Sequence, residues 1–133
     1  MTSLEKWYNE LKKPNWAPKP ETIGLTWTIL IPVVFVVYMN VASSVFRGDM
    51  DAVIFIILNI NIISNILFIP FQFNVKNLTL ATFDISITWI TCVLLIAYIW
   101  PYSDFLVFIL IPYFFWVTAI AYLQFYIKFA NKI

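Results

Sequence analysis

The chain has 133 residues, of which 62% are hydrophobic, 20% aromatic and only 11% charged, with a net charge of +1. A soluble domain carries roughly 25% charged residues to cover its surface in water, so this composition excludes a water-soluble fold and leaves lipid as the solvent. The near-neutral balance gives no reason to expect nucleic acid as a partner. With no histidine and a single cysteine, Cys92, an intrachain disulfide is excluded, and the usual zinc, copper and haem-iron ligand sets are missing.

Residues 1–21 stand apart. They hold four lysines, three glutamates, three prolines (Pro14, Pro18 and Pro20) and the tryptophans Trp7 and Trp16. No apolar core follows the basic residues, so this is not a secretory signal. Residues 2–13 suit a short helix, after which the prolines fix φ and push their preceding residues out of the helical region. An interfacial segment is expected here.

Four apolar runs follow, at about 22–46, 52–73, 78–100 and 105–130. Each is long enough for the roughly 20 residues that a helix needs to cross a bilayer core. Strand alternation is absent, which argues against a barrel. The expected fold is therefore all-α, a single domain over residues 1–133 built as a bundle of four transmembrane helices. Pro70 is expected to bend or end the second helix. Seven lysines (Lys6, Lys12, Lys13, Lys19, Lys76, Lys128 and Lys132) fall on one side of this threading and Arg47 alone on the other. The positive-inside bias then puts both termini in the cytoplasm, and the simplest location is a prokaryotic plasma membrane.

Polar residues inside a span face the bundle interior, because lipid offers them no partner. Asn61, Asn65, Phe68 and Gln72 share one face of the second helix, and Asp84, Thr88 and Thr91 one face of the third. Trp27, Leu30, Val34 and Tyr38 line up on the first helix, and Trp116, Ala119 and Leu123 on the fourth. Asparagine and threonine at such positions commonly glue helices together for roughly 0.6 to 2 kcal/mol. Asp84 differs, since a carboxyl in the membrane needs a partner, and no lysine or arginine lies near it in the spans. Amide side chains or backbone N–H groups are expected to serve, with a structural anchor and a ligand contact both open. Trp27 and Trp116, with Tyr38, Phe68 and Tyr113, suit the lining of a pocket for a flat, apolar ligand.

The blocks Trp7-Tyr8-x-x-Leu11-x-Lys13-Pro14-x-Trp16-x-Pro18, Ile23-Gly24-x-x-Trp27-x-x-Leu30, Asn65 to Phe73, Leu80-Ala81-Thr82-x-Asp84 and Ile111-Pro112-Tyr113-x-x-Trp116 occur in one order along the chain, followed by Ala121-Tyr122-Leu123. In residues and spacing they resemble the TspO/MBR family, the tryptophan-rich sensory proteins and translocator proteins. The resemblance implies a five-helix membrane protein, often a homodimer, whose cavity takes tetrapyrroles, sterols or synthetic aromatic ligands beneath a lysine- and proline-rich lid. It implies pocket roles for Trp16 in the lid and for Trp27, Asn65, Asp84 and Trp116. Protoporphyrin IX or haem is the implied ligand, with no cofactor required. In some members, tryptophans matching Trp27 and Trp116 are implicated in light-dependent porphyrin breakdown.

Several positions depart from the family pattern. Phe68 stands where the family has a tryptophan, Ile120 where a small residue is common, and Gln124 where an asparagine closes the Tyr-Leu block. The sequence starts six residues before Trp7, so either the start lies upstream or this is a four-helix variant lacking the family's first span. A loose sterol-type pattern reads through Val117, Tyr122 and Lys128, and also through Leu123, Tyr126 and Lys128. A small proton-coupled transporter, which would use Asp84, and a membrane scaffold are the alternative functions.

Overall fold

Four helices account for the structure, a computed structural model that describes residues 10–11, 13–71 and 77–131. They are α1 (Pro20–Phe46), α2 (Ala52–Ile69), α3 (Leu78–Ile99) and α4 (Asp104–Asn131). Among the described residues there is no strand. The expected helix at 2–13 and the expected inward Gln72 lie largely outside these residues.

Local chemistry sets the helix ends. Lys19 is extended, and Pro20 takes the first helical position, where its missing N–H is no loss. The carboxylate of Asp51 accepts from Val53 N at 2.9 Å, and Asn77 Oδ1 accepts from Leu80 N at 2.9 Å, so α2 and α3 begin on capping side chains. Ser103 does the same for α4, its hydroxyl accepting from Leu106 N at 3.2 Å. At the end of α1, Gly48 adopts φ 81°, Gly48 N donates to Val45 O and Asp49 N to Ser44 O. This is the Schellman arrangement, and it requires a residue that tolerates the left-handed region.

α1, α3 and α4 are long and apolar enough to cross a membrane. α2 has 18 residues, about 27 Å at 1.5 Å per residue, so it falls about 3 Å short of a hydrocarbon core of roughly 30 Å. It stops at Ile69, just before Pro70, as expected of that proline, although the apolar run continues to 73. Pro70 supplies no N–H to the helix ladder, and the backbone widens into a π turn at residues 70–71. The other three helices match the expected spans to within about two residues.

Consecutive helices run up and down, and α1 closes the ring by touching α2 and α4. α2–α3 and α3–α4 are the broad interfaces and α1 is held more thinly: 17% of its most apolar stretch is buried, against 44% in α3 and α4. Two apolar cores fill the bundle. One, near the Arg47 and Tyr102 turns, includes Val37, Val41, Ile54, Leu95, Ile99 and Leu110. The other, near the N-terminal segment, includes Ile23, Phe68, Leu78, Ile85, Ile120 and Ile127, with Leu11 and Ala17 packed onto it. Between them lies a polar layer, and Trp27 and Trp116 touch both cores.

Candidate ligand-binding site

The polar layer is built from three helices. Tyr113 on α4 is completely buried, and its hydroxyl donates to Asn61 Oδ1 at 2.8 Å. Asn65 Nδ2, one turn further along α2, donates to the same oxygen at 3.2 Å and to the Tyr113 hydroxyl. Asn61 Nδ2 reaches across to α3, donating to Thr88 O at 3.0 Å and to Thr91 Oγ1 at 2.9 Å. The i, i+4 spacing of Asn61 and Asn65 makes this possible, because it stacks both amides on the face that α3 and α4 cover.

Asp84 sits beside this layer on α3, 5% exposed. Its partner is the Ser64 hydroxyl, which lies 3.1 Å from Oδ1, 2.8 Å from the Asp84 backbone oxygen and 2.5 Å from the Thr88 hydroxyl. The sequence expectation of amide or backbone N–H partners is thus corrected. In mid-helix the neighbouring N–H groups already serve the helix ladder, and Ser64 is the side chain that α2 places opposite. One hydroxyl proton satisfies one acceptor at a time, so Asp84 Oδ1 competes with a backbone carbonyl for it.

The aromatic part of the site adjoins Tyr113. Trp27 of α1 packs edge-on against Tyr113, with ring centroids 6.3 Å apart at 65°, and against Trp116 of α4 at 6.2 Å and 82°. Such edge-to-face pairs are worth about 0.5–1.5 kcal/mol each beyond their area burial. Trp27 is therefore the hinge of contact between the thinly held α1 and α4. Phe68 and Ile120, both buried, form the adjoining wall in the core near the N-terminal segment.

Four side-chain atoms in this region are buried and find no hydrogen-bond partner among the described residues: Trp27 Nε1, Trp116 Nε1, Asn65 Oδ1 and Asp84 Oδ2. Leaving a buried polar group unmade costs about 1–3 kcal/mol, and buried polar atoms in folded proteins are nearly always paired. Two of these atoms are donors and two are acceptors.

Of the residues expected from sequence, the structure brings together Trp27, Asn65, Phe68, Tyr113, Trp116 and Ile120. Asp84 joins them through Ser64, the neighbour of Asn65. Ala119, one residue before Ile120, is half-buried. Tyr38 lies elsewhere. Eleven residues beyond Trp27, it is about 16 Å further along α1 and pairs with Phe55 at 5.5 Å in the other core. Trp16 is 51% exposed and packs at 5.8 Å on Tyr122, at the rim of the bundle end covered by Leu11 and Ala17. Beside it, Lys13 donates to Leu11 O at 3.3 Å, and partial burial lowers its pKa below that of a free lysine.

Ser64 was not singled out in the sequence, although its i+3 spacing from Asn61 places it on the inward face. Gln124, a departure from the family pattern, is buried and donates to Thr82 Oγ1 at 3.2 Å and Leu78 O at 3.3 Å, clasping α4 to α3. An open groove of about 450 Å³ lies on the outer side of α4, lined by Tyr122, Phe125, Tyr126, Phe129 and Ala130. It includes none of the expected site residues. Of the sterol-type pattern, Leu123 is buried and Tyr126 exposed.

A bundle of apolar helices around a tryptophan-flanked polar centre defines an integral membrane protein. Residues 1–130 match the family model of the TspO/MBR family. The chain is 36% identical over 122 residues to the tryptophan-rich protein TspO of Bacillus cereus, a match covering 89% of this chain and 76% of that protein. It is 35% identical over 131 residues to the uncharacterized membrane protein YtaB of Bacillus subtilis, covering 96% and 81%. Identity to the tryptophan-rich protein TspO of Archaeoglobus fulgidus is 29% over 131 residues, covering 97% and 82%. The chain belongs to the TspO/MBR family.

Proposed function

We propose that this protein holds a flat, largely apolar aromatic ligand of porphyrin type between its helices, against Trp27, Trp116, Phe68 and Asn65, in a tetrapyrrole-handling or sensory role. The observation that carries the reading is the pair of unpartnered buried indole N–H groups of Trp27 and Trp116, packed edge to face, with the unpartnered Asn65 oxygen on the residue that bonds Tyr113 beside them. Aromatic edges supply dispersion contact to a planar ring, while the indole N–H groups and the Asn65 oxygen supply orientation. The protein sits in a prokaryotic plasma membrane with both termini cytoplasmic, a reading that rests on the lysine bias and on its bacterial relatives.

The test is a titration of purified protein in lipid nanodiscs with protoporphyrin IX, following tryptophan emission. Quenching is expected to saturate, and Trp27→Phe and Trp116→Phe are each expected to weaken it about tenfold, equivalent to roughly 1.4 kcal/mol. Quenching that rises linearly with porphyrin and ignores both substitutions would indicate partitioning into lipid and overturn the proposal.

A further inference from the structure

The last turns of α4 carry a surface feature that the bundle interior does not use. Tyr122, Phe125, Tyr126, Phe129 and Ala130 recur at i, i+3, i+4, i+7 and i+8, one face of a helix, and line the open groove of about 450 Å³ on its outer side. The rings of Phe125 and Phe129 stack at 6.3 Å with 19° between their planes, so one side of the groove is a flat aromatic wall. The other side is the row Tyr122, Tyr126 and Ala130, whose last member is small and leaves that end open. Tyr122 and Tyr126 are exposed, and their hydroxyls have no hydrogen-bond partner among the described residues. Trp16 packs on Tyr122 at 5.8 Å and brings the N-terminal segment, with Lys13, to the same rim. Lys128 lies in the last turn of α4 itself.

Depth and charge narrow what fits this groove. α4 has 28 residues, about 42 Å of helix against a hydrocarbon core of roughly 30 Å. Its ends therefore reach the headgroup layers, and from there the groove runs about 12 Å down beside the acyl chains. On the four-crossing reading, this end of the bundle collects seven lysines against Glu5, Glu10 and Glu21, a net +4. The opposite end sets Arg47 against Asp49, Asp51 and Asp104, a net −2. A second transmembrane helix packs closely through small residues, whereas this face presents four large rings and one alanine. A sterol brings one hydroxyl and no charge to meet the lysines, and the apolar residues of both sterol-type patterns, Val117 and Leu123, are buried in the bundle. A phospholipid with a negative headgroup matches every feature: a chain for the wall, oxygens that accept from the two hydroxyls, and a charge opposite to that of the lysines.

We propose that this groove is a binding site for one anionic phospholipid of the lysine-side leaflet. An acyl chain lies against the Phe125–Phe129 wall, the Tyr122 and Tyr126 hydroxyls donate to ester and phosphate oxygens, and Lys13 and Lys128 supply the opposite charge. Bound there, the lipid joins the N-terminal segment to the end of α4. The site is separate from the one at Trp27 and Trp116, and neither depends on the other. A lysine near an anionic membrane surface is worth about fivefold in affinity, so two of them set the scale of the headgroup preference.

Spin-labelled phosphatidylglycerol and phosphatidylcholine, alike except in the headgroup, are compared on the full chain in phosphatidylcholine bilayers, where EPR separates lipid held on the protein from free lipid. Phosphatidylglycerol is expected to be preferred about tenfold at one site per chain. The preference should fall at least about threefold when salt rises from about 0.1 M to about 1 M, which shortens the screening length from about 10 Å to about 3 Å. Lys13→Gln combined with Lys128→Gln should lower it to about twofold or less. Ala130→Phe, which fills the open end of the groove, should do the same with every lysine in place. Phe129→Ala, which removes half of the wall, serves if Ala130→Phe does not fold. A wild-type ratio near one overturns the proposal, as does a spin-labelled sterol held more tightly than both phospholipids. If the lysine variant loses the preference but the groove variants keep it, the lysines attract anionic lipid over the whole face and the groove is overturned as a site.

Discussion

Asn61 uses all four of its side-chain hydrogen-bonding positions inside the bundle: two donors to Thr88 O and Thr91 Oγ1, and two lone pairs taken by Tyr113 and Asn65. Lipid has nothing to offer these groups in exchange, so the residue ties α2, α3 and α4 at one level. Hydrogen bonds between membrane helices average about 0.6 kcal/mol and reach about 1.7, and leaving a buried partner orphaned adds to the loss. Asn61→Leu is therefore expected to cost about 2 kcal/mol and Tyr113→Phe about 1 kcal/mol. The double variant should cost little more than Asn61→Leu alone, because the Tyr113 hydroxyl has already lost its acceptor. Reversible unfolding in mixed micelles measures all three, and additive losses would mean that the two side chains are not coupled. That these residues face inward was legible from spacing alone, since amides at i and i+4 on an apolar helix have one sensible direction. What spacing did not reveal is the partner of Asp84. Serine has a short side chain and an unremarkable helix propensity, so Ser64 gives no local signal, and only the register of α2 against α3 brings its hydroxyl to the carboxyl.

At the scale of elements, the bundle is unequal. α3 is buried between two neighbours and is tied to both, by the polar layer on the α2 side and by the Gln124 clasp to Thr82 and Leu78 on the α4 side. α1 shows most of its length outward, with Leu25, Ile29, Ile31, Phe35 and Met39 all exposed, and keeps contact largely through Ile23, Trp27, Leu30, Val37 and Val41. Local opening is cheapest where fewest buried contacts must break. Backbone amides of residues 24–44 are therefore expected to exchange with deuterium at least about tenfold faster than those of residues 81–97 when the protein is studied in detergent. A ligand that binds against Trp27 should narrow that gap, since it adds contacts to α1 that the empty bundle lacks. Equal protection of the two segments would show that α1 is held by more than these contacts. The helix boundaries themselves were readable from charge and proline placement, because a membrane span tolerates neither charges in its middle nor an unsupported break. At the end of α2 the apolar run continues to Phe73, but the helix ends at Ile69, where Pro70 was expected to bend or end it.

For the molecule as a whole, four crossings would put the N-terminal segment, the α2–α3 connection and the end of α4 on one side of the membrane. The sequence's seven lysines would then fall on that side and Arg47, which pairs with Asp49 at 3.1 Å, on the other. An exposed ion pair of this kind contributes little stability, but it partly neutralises the only positive charge that opposes the lysine bias. Translocation responds to lysine and arginine in short flanking segments, and the connections between the helices here are short. Reporter fusions at residue 133 and at the α1–α2 turn are thus expected to give opposite results. A reporter active only in the cytoplasm should work at the C-terminus and fail in the turn, and one active only outside should do the reverse. Replacing Lys13 and Lys19 by Gln should leave this orientation intact, because Lys76, Lys128 and Lys132 remain on the same side. Adding two lysines beside Arg47 while removing those two should produce a mixed population. If instead the fusion at residue 133 reports from outside in the unaltered chain, one of the four helices does not cross, and the 18-residue α2 is the one whose length makes it the candidate. In that arrangement Asn61, Ser64 and Asn65 would no longer lie at the level of Asp84 and Tyr113, and the polar layer joining the three helices would be lost. The topology experiment therefore tests the position of the candidate site as directly as it tests the orientation.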